Sequence, residues 1–292
     1  MTSASVKSDS LQRPPRRFSR LRLAFARSVE RTALALGGRA HYRRRHLARG
    51  RFLVREETLL IPDLPAGLHG FSIAHWSDLH AGPFLRAGDL ADVLAVTAEL
   101  EPDLAVITGD LISHDWQDVL RIAPDLGRLQ ARHGVLAVFG NHDYKGRCEG
   151  RIATALEAQG VQVLRNEVRR IDTGEGVLAV VGLEDVEESR VVDLERARAD
   201  VLPGDVELVL CHNPLAAPQL AREGCAGVLS GHSHGTQVNL PLLRASGPPH
   251  PGTRLRLGPT TLIVSRGLGV VVVPVRVAAP SEVVIVRLRE AR

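Results

Sequence analysis

Side chains that can bind a metal occur five times along this chain, each time directly after an apolar stretch. Carboxylate, amide oxygen and imidazole ligands suit Mn, Fe, Zn or Ni, and no cysteine belongs to the set. Alone, each group is ordinary, since Asp-x-His can be a capped turn and Asn a loop residue. Their recurrence predicts one divalent metal site built from Asp78 and His80, Asp110, Asn141 and His142, His212, and His232 and His234.

Predicted strands and helices alternate between these groups. The apolar, β-branched runs predict strands, and the longer amphipathic segments predict helices. Two late strands follow without an intervening helix, so we expect an α/β sheet system with helices outside, completed by antiparallel strands. The strands are expected at 71–77, 104–108, 134–139, 177–182, 206–211, 226–230, 262–264 and 283–286, and the helices at 87–100, 117–132, 149–159 and 214–222.

The strand ends explain how distant residues can share one site. In an open α/β sheet, the ligand crevice lies at the carboxyl ends of the strands. Side chains two apart on an extended segment face the same way, so Asp78 can act with His80, and His232 with His234. The glycines before Asp110, Asn141 and His232 let the backbone turn sharply where each strand ends. Two metals about 3.5–4 Å apart would clamp a phosphorus centre, and Asp110 is the natural bridge between them.

The ordered motifs Asp-x-His, Gly-Asp, Gly-Asn-His-Asp, His and Gly-His-x-His resemble the calcineurin-like metallophosphoesterase superfamily over about residues 70–288. The resemblance implies a four-layer α/β/β/α sandwich of two mixed β-sheets flanked by helices. His142 would face the phosphate as general acid or charge stabiliser, and Asp143 would orient it through a hydrogen bond. The resemblance assigns one metal to Asp78, His80 and His234, the other to Asn141, His212 and His232, and the bridge to Asp110.

A finer similarity points to one bacterial branch of that superfamily. Residues 61–65, 235–241 and 265–269 are similar to segments of phosphodiesterases of the YkuE and YaeI type, which are related to UDP-2,3-diacylglucosamine pyrophosphatases. The implied activity is hydrolysis of a phosphodiester or pyrophosphate bond by a hydroxide that bridges two divalent ions, manganese being favoured. A lipid-linked substrate such as UDP-2,3-diacylglucosamine would fit this branch.

Three alternatives stay open at this point. A phosphomonoesterase or nucleotide phosphodiesterase of the same superfamily would carry the same ligands. A metal-dependent amidohydrolase usually has an early His-x-His, whereas the double histidine comes last in this chain. A non-catalytic metal-binding scaffold at a membrane surface is the third, and the presence of both Asp110 and His142 argues against it.

The charge distribution divides the chain into a basic, partly amphipathic N-terminal arm at 1–50 and a phosphoesterase body at 51–292. The arm holds 13 Lys and Arg against 2 Asp and Glu, a net charge of +11, whereas the whole chain carries only +4. An apolar stripe with helical spacing could lie on an anionic membrane, pack on its own domain, or be disordered. Nucleic-acid binding is disfavoured because no recognition fold accompanies the charge. The stripe comprises Phe18, Leu21, Phe25, Val29, Ala33 and Leu36.

The localisation expected from the sequence is cytoplasmic, with peripheral attachment to the inner face of the membrane. Arg16 and Arg17 form a twin-arginine pair, but no clean apolar region follows as a signal peptide requires. No run of about 20 apolar residues predicts a transmembrane helix. The three cysteines lack a CxxC spacing, which is compatible with a reducing compartment. Nothing in the sequence fixes the oligomeric state.

Overall fold

The computed structural model describes residues 11–13, 20–189, 191–239 and 254–291. Arg16, Arg17 and Phe18 therefore lie outside the described residues. The strands are β1 Leu53–Ile61, β2 Ser72–Trp76, β3 Leu104–Thr108, β4 Val135–Val138, β5 Val161–Val163, β6 Glu167–Asp172, β7 Val177–Gly182, β8 Val206–Leu210, β9 Gly227–Ser230, β10 Arg254–Leu257, β11 Thr260–Val264 and β12 Glu282–Glu290. The α-helices are α1 Arg20–Ala35, α2 Gly38–Tyr42, α3 Ala91–Glu99, α4 Asp118–Leu126, α5 Glu149–Glu157, α6 Leu194–Ala197 and α7 Ala217–Arg222.

These strands form two six-stranded mixed sheets. The first has the order β1-β12-β2-β3-β4-β5, and the second has the order β10-β11-β9-β8-β7-β6. In the first sheet β2, β3, β4 and β5 run parallel, while β12 is antiparallel to β2. In the second sheet β7, β8, β9 and β11 run parallel. The carboxyl ends of β2, β3 and β4 thus share one edge, as do those of β8 and β9.

Successive side chains along each strand point to opposite faces of the sheet, and each face packs into a different hydrophobic core. Ile73 and Val106 pack in the cluster between the two sheets, whereas their neighbours Ala74 and Ala105 pack under the helices on the first sheet. On β7, Val180 likewise faces the first sheet and Val181 faces outward, in the cluster that includes residues of α6 and α7. This period of two is what a strand buried on both faces requires. The α/β/β/α sandwich expected from the sequence is confirmed.

Some elements differ from the sequence-based expectation. The helix expected at 117–132 ends at Leu126, with Gly127 as its C-cap, and Pro124 in its last turn cannot donate a backbone hydrogen bond to Leu120. Strand β6 was not expected, because its six residues include four charged ones and few apolar ones. Strand β1 pairs with β12 in a parallel nine-residue register, although half-exposed residues obscure its pattern.

The N-terminal segment contacts the body before residue 51. Helix α1 spans much of the expected amphipathic segment, and the fully buried Tyr42 and Leu47 belong to the core under the first sheet. Arg39 forms a two-point ion pair with Asp89 at 2.9 and 3.0 Å. The division of the chain at residue 50 stays a proposal, and packing begins on its N-terminal side. Among the described residues, no helix is both long and apolar enough to cross a bilayer.

Candidate metal centre

One group of candidate ligands comes from both sheets. Asp78 and His80 follow β2, Asp110 follows β3, and His234 follows β9. All four are buried, and a ligand atom from each lies within 4.8 Å of the others. His80 Nε2 lies 2.9 Å from His234 Nε2 and 3.4 Å from Asp110 Oδ2, and His234 Nε2 lies 3.3 Å from Asp78 Oδ1. Imidazole nitrogens and carboxylate oxygens that face one another at these distances could bind a divalent cation between them.

A second group lies on the other side of Asp110. His212 Nε2 is 3.4 Å from Asp110 Oδ2, the same oxygen that faces His80. His232 Nδ1 lies 3.2 Å from His212 Nε2 and 3.0 Å from Asn141 Oδ1. The Nδ1 of His212 donates to the carbonyl of Thr108 at 2.7 Å, so its Nε2 is the nitrogen directed toward Asp110. Asp110 therefore stands between two sets of donors.

The backbone around these residues is strained. Asp78, His80, Asp110, His232 and His234 all have φ between 49° and 70°, a left-handed conformation that costs non-glycine residues about 1–2 kcal/mol each. Strain of this kind persists where the surrounding structure imposes it, and it is concentrated at functional sites. The turns after β2, β3 and β9 are thus bent to aim these side chains inward.

Two of the glycines expected at the strand-end turns are at positions where no larger side chain fits. A Cβ on Gly231 would lie 1.9 Å from Ser77 Oγ and 2.3 Å from Asp78 Oδ2. A Cβ on Gly140 would lie 2.4 Å from Asp110 Oδ1. Gly109 has the positive φ of 84° that the expected sharp turn requires, and a Cβ there would also lie 2.4 Å from the backbone nitrogen of Gly140. The sheets can approach closely at this edge only because no side chain intervenes.

The pKa values of the histidines and aspartates at the site favour the binding of cations. Burial lowers the pKa of His80 and of His234 well below the usual value, so both imidazoles are neutral and keep a lone pair. Burial raises the pKa of Asp78 to about 6. Burial would also raise the pKa of Asp110, but its interactions with His212 above all, and with His142 and His80, outweigh burial and hold that pKa well below its usual range. Asp110 is therefore the permanent anion at the centre of the site.

A model of the family described as "Calcineurin-like phosphoesterase" matches residues 71–236, more than half of the chain. This range includes all eight residues singled out from the sequence and strands of both sheets that carry them. The chain belongs to the calcineurin-like phosphoesterase family. It is accordingly a metallophosphoesterase-family hydrolase.

Curated relatives of this phosphoesterase agree with that assignment. It is 30% identical over 265 residues to the metallophosphoesterase YkuE of Bacillus subtilis (strain 168), covering 88% of this chain and 92% of the relative. It is 31% identical over 176 residues to the phosphodiesterase YaeI of Escherichia coli (strain K12), covering 59% of this chain and 64% of the relative. A transmembrane protein with metallophosphoesterase domain from Danio rerio is 29% identical over 244 residues, covering 79% of this chain and 56% of the relative.

In this phosphoesterase, His142 lies beside the two ligand groups. Its backbone N–H donates to Asp110 Oδ1 at 2.8 Å, and its ring meets the His80 ring edge-on at a centroid distance of 4.6 Å. Its Nδ1 lies 2.9 Å from the carbonyl oxygen of Ser113 and 2.6 Å from Lys145 Nζ. Burial lowers the pKa of His142 to about 4, so the ring is neutral at neutral pH.

The expected hydrogen bond from Asp143 to His142 is corrected by the structure. The Asp143 carboxylate accepts from the backbone amides of Leu111 at 2.9 Å, Ile112 at 3.1 Å and Gly140 at 2.9 Å. It is fully buried, and its acceptor capacity is used by amides that the strand-end turns leave unpaired. Asp143 thus fixes the loops after β3 and β4, while Ser113 and Lys145 contact the His142 ring.

Other polar residues near the motifs have structural partners. His75 is buried, and its Nε2 lies 2.8 Å from Thr108 Oγ1. Arg266 donates to the buried Glu282 at 2.7 Å, so its guanidinium group is engaged in a salt bridge. The hydroxyl of Tyr144 donates to Glu184.

Two residues of the site were missed by the sequence reasoning. Asp185 follows β7, is buried, and accepts from the amides of Glu187 and Glu188 at 3.0 and 2.8 Å. Burial raises its pKa to about 6, and the nearby His212 opposes this shift. The polar residues after β7 repeat the strand-end pattern and could have identified it. Arg276 is buried and donates to the carbonyl of His234 at 3.3 Å, and no sequence signal distinguished it from a surface arginine.

Proposed function

We propose that this protein is a dinuclear metal-dependent phosphoesterase that hydrolyses a phosphodiester or pyrophosphate bond. One observation carries the proposal: Asp110 Oδ2 lies 3.4 Å from both His80 Nε2 and His212 Nε2, with further donors on each side. A carboxylate shared by two imidazole groups is the arrangement that bridges two cations. The likeness to a relative named a phosphodiesterase supports a diester substrate.

The residues present fit two divalent ions. Asp78, His80 and His234 would hold one ion, and Asn141, His212 and His232 would hold the other, with Asp110 between them. The oxygen and imidazole donors suit manganese, iron, zinc or nickel, and we propose manganese. When bound, the ions would lower the pKa of water from about 15.7 toward 7 and neutralise charge on the phosphate.

The chain's own groups would orient the substrate. The neutral His142 ring, next to both ligand groups, can donate a hydrogen bond to a phosphoryl oxygen as negative charge develops. Lys145 places a cation 2.6 Å from this ring, and burial lowers the pKa of its ammonium. No serine or cysteine needs to act as nucleophile in this scheme.

We expect close to two transition-metal ions per chain after reconstitution with manganese, because two donor sets share Asp110. Elemental analysis of the desalted protein measures this ratio. The loaded protein should hydrolyse bis(4-nitrophenyl) phosphate, and a chelator should abolish the hydrolysis. His69→Gln, which changes an exposed histidine outside the site, should keep both ions. A ratio near one or zero would contradict the dinuclear centre, and a loaded protein without hydrolysis would favour the scaffold alternative.

We further propose that helix α1 attaches the enzyme to an anionic membrane surface, where a lipid-linked substrate would be met. Leu21 and Phe25 are 81% and 70% exposed, an unusual state for large apolar side chains on a helix. They stand in the segment with a net charge of +11. Basic residues contribute about 1 kcal/mol each near an anionic surface, and buried apolar side chains add about 1.5–3 kcal/mol each.

The double change Leu21→Ser/Phe25→Ser should weaken sedimentation with phosphatidylserine vesicles more than tenfold at low salt, because it removes two exposed apolar side chains that would enter the interface. Point variants are preferable to deleting residues 1–50, since Tyr42 and Leu47 belong to the core. Co-sedimentation at rising salt gives the measurement.

The matched control is Leu120→Ser/Leu202→Ser, which removes two half-exposed leucines, each 51% exposed, outside α1. It should leave vesicle binding unchanged. Equal loss in both double variants, or no binding by the unaltered chain, would contradict membrane attachment through α1.

A further inference from the structure

A cavity of about 220 Å³ lies between helix α1 and the loops that leave the metal centre. Arg27, Arg31 and Leu34 line it from the helix. Pro83, three residues after His80, and His114, four residues after Asp110, line it from the body. Its volume is below the roughly 300 Å³ of a site for a whole small ligand, so it suits one part of a larger molecule.

Helix α1 presents different faces to the cavity and to solvent. Arg27, Arg31 and Leu34 follow at spacings of four and three, which places them on one face. Leu21 and Phe25 lie about 120° and 160° from Arg27 round the helix axis, since each residue turns the helix by about 100°. The face lining the cavity is therefore distinct from the exposed apolar stripe.

The cavity holds two arginines that are free to bind an anion. Among the described residues, neither Arg27 nor Arg31 makes an ion pair or a side-chain hydrogen bond, and both are exposed. The buried Glu30 between them is engaged by His114, with Glu30 Oε2 at 2.8 Å from His114 Nε2. Asp115 is the other acidic residue of the cavity, and its side chain is exposed to solvent, as are those of Arg27 and Arg31.

The cavity and the metal centre share the loop after β3. Ser113, directly before His114, places its carbonyl oxygen 2.9 Å from His142 Nδ1 and 2.8 Å from Lys145 Nζ. The loop that lines one side of the cavity thus also contacts His142 and Lys145 beside the metal centre.

We infer that this cavity is a substrate subsite in which Arg27 and Arg31 bind a second anionic phosphate next to the scissile one. The inference rests on the proposed phosphoesterase function and deepens it, because it assigns the enzyme to pyrophosphate-linked substrates. Guanidinium groups bind phosphate oxygens in two-point contacts, and two arginines one helical turn apart can share one phosphate. One face of helix α1 then binds the substrate, and its other face exposes Leu21 and Phe25 to solvent.

The test compares Arg27→Ala/Arg31→Ala with Arg44→Ala/Arg45→Ala, which removes two exposed arginines that do not line the cavity. Calorimetric titration of the manganese-loaded protein uses methylenediphosphonate, which resists hydrolysis, and orthophosphate. We expect the cavity variant to bind the diphosphonate about tenfold or more weakly and orthophosphate unchanged, because only the diphosphonate reaches the arginines. The control variant should bind both anions as the unaltered chain does.

Kinetics provide the second measurement. The cavity variant should raise KM for a nucleoside diphosphate sugar about tenfold and leave kcat/KM for bis(4-nitrophenyl) phosphate unchanged. Unchanged diphosphonate affinity in the cavity variant, or equal losses in both double variants, would overturn the subsite. Weaker vesicle binding with unchanged diphosphonate affinity would overturn it too, since the arginines would then serve lipid headgroups. If the chain hydrolysed none of these substrates, the proposed function would be wrong. The diphosphonate affinities of the two double variants would still show whether Arg27 and Arg31 bind a second phosphate.

Discussion

Asp110→Asn is expected to remove paired metal binding and to lower kcat for diester hydrolysis by about 10³-fold or more. The replacement keeps the size of the side chain and leaves an oxygen that can accept the His142 amide hydrogen bond, now 2.8 Å long. It removes the negative charge whose Oδ2 lies 3.4 Å from both His80 and His212. Two cations would then repel each other without a shared anion, so the expected metal content falls to one ion or none.

Asp118→Asn is the control, since Asp118 is a mostly buried carboxylate of α4 whose Oδ2 faces Gly82 and not the ligand groups. It should keep two metal ions and the full rate. Elemental analysis and diester kinetics on the same preparations give both quantities. Two tightly bound ions and an unimpaired rate in Asp110→Asn would show that another group bridges the metals.

The convergence of the ligands was predictable from the sequence because it depends on the topology of the strands. Apolar runs end where Asp78, Asp110 and Asn141 begin, and parallel strands bring such ends to one edge. The same reasoning extends to His212 and His232 in the second sheet. The prediction needed no side-chain geometry, only the number and direction of buried strands.

The details that depend on close packing were not predictable. Gly140 and Gly231 were expected to help the chain turn, yet the structure shows that they leave room for Asp110 and Asp78 from the opposite segments. Asp143 was expected to contact His142, but backbone amides of another loop compete for its carboxylate. Sequence spacing cannot determine which partner a buried carboxylate meets, because that partner is distant along the chain.

The N-terminal segment illustrates a second limit. Its charge and periodicity predict an amphipathic helix, and α1 is there. Charge alone also suggested an arm separate from the body, whereas Tyr42 packs in the core and its hydroxyl lies 3.1 Å from Ser281 Oγ. Local patterns report what a segment can form, and only the packed structure reports which of its faces the body covers.

His142→Ala is expected to keep both metal ions and to lower the rate by about 10²–10³-fold for good and poor leaving groups alike. The ring is held beside the ligand groups by Ser113 and Lys145, and its Nδ1 faces those two residues. Its loss would leave the charge that develops on phosphoryl oxygen without this hydrogen-bond donor. The measurement is kcat across a series of aryl diesters with leaving groups of rising pKa, together with metal content.

His75→Gln is a suitable comparison, because His75 is buried and only 2.8 Å from Thr108 Oγ1, a contact that glutamine can replace. It should keep the metals and most of the rate, which separates a catalytic loss from a general disturbance of β2. A His142→Ala protein that loses a metal while hydrolysing at the full rate would make His142 a metal ligand instead of a group that faces the phosphate. A loss that is equal for good and poor leaving groups would identify His142 as a hydrogen-bond donor to the phosphoryl oxygen, and a loss that grows with leaving-group pKa would identify proton transfer.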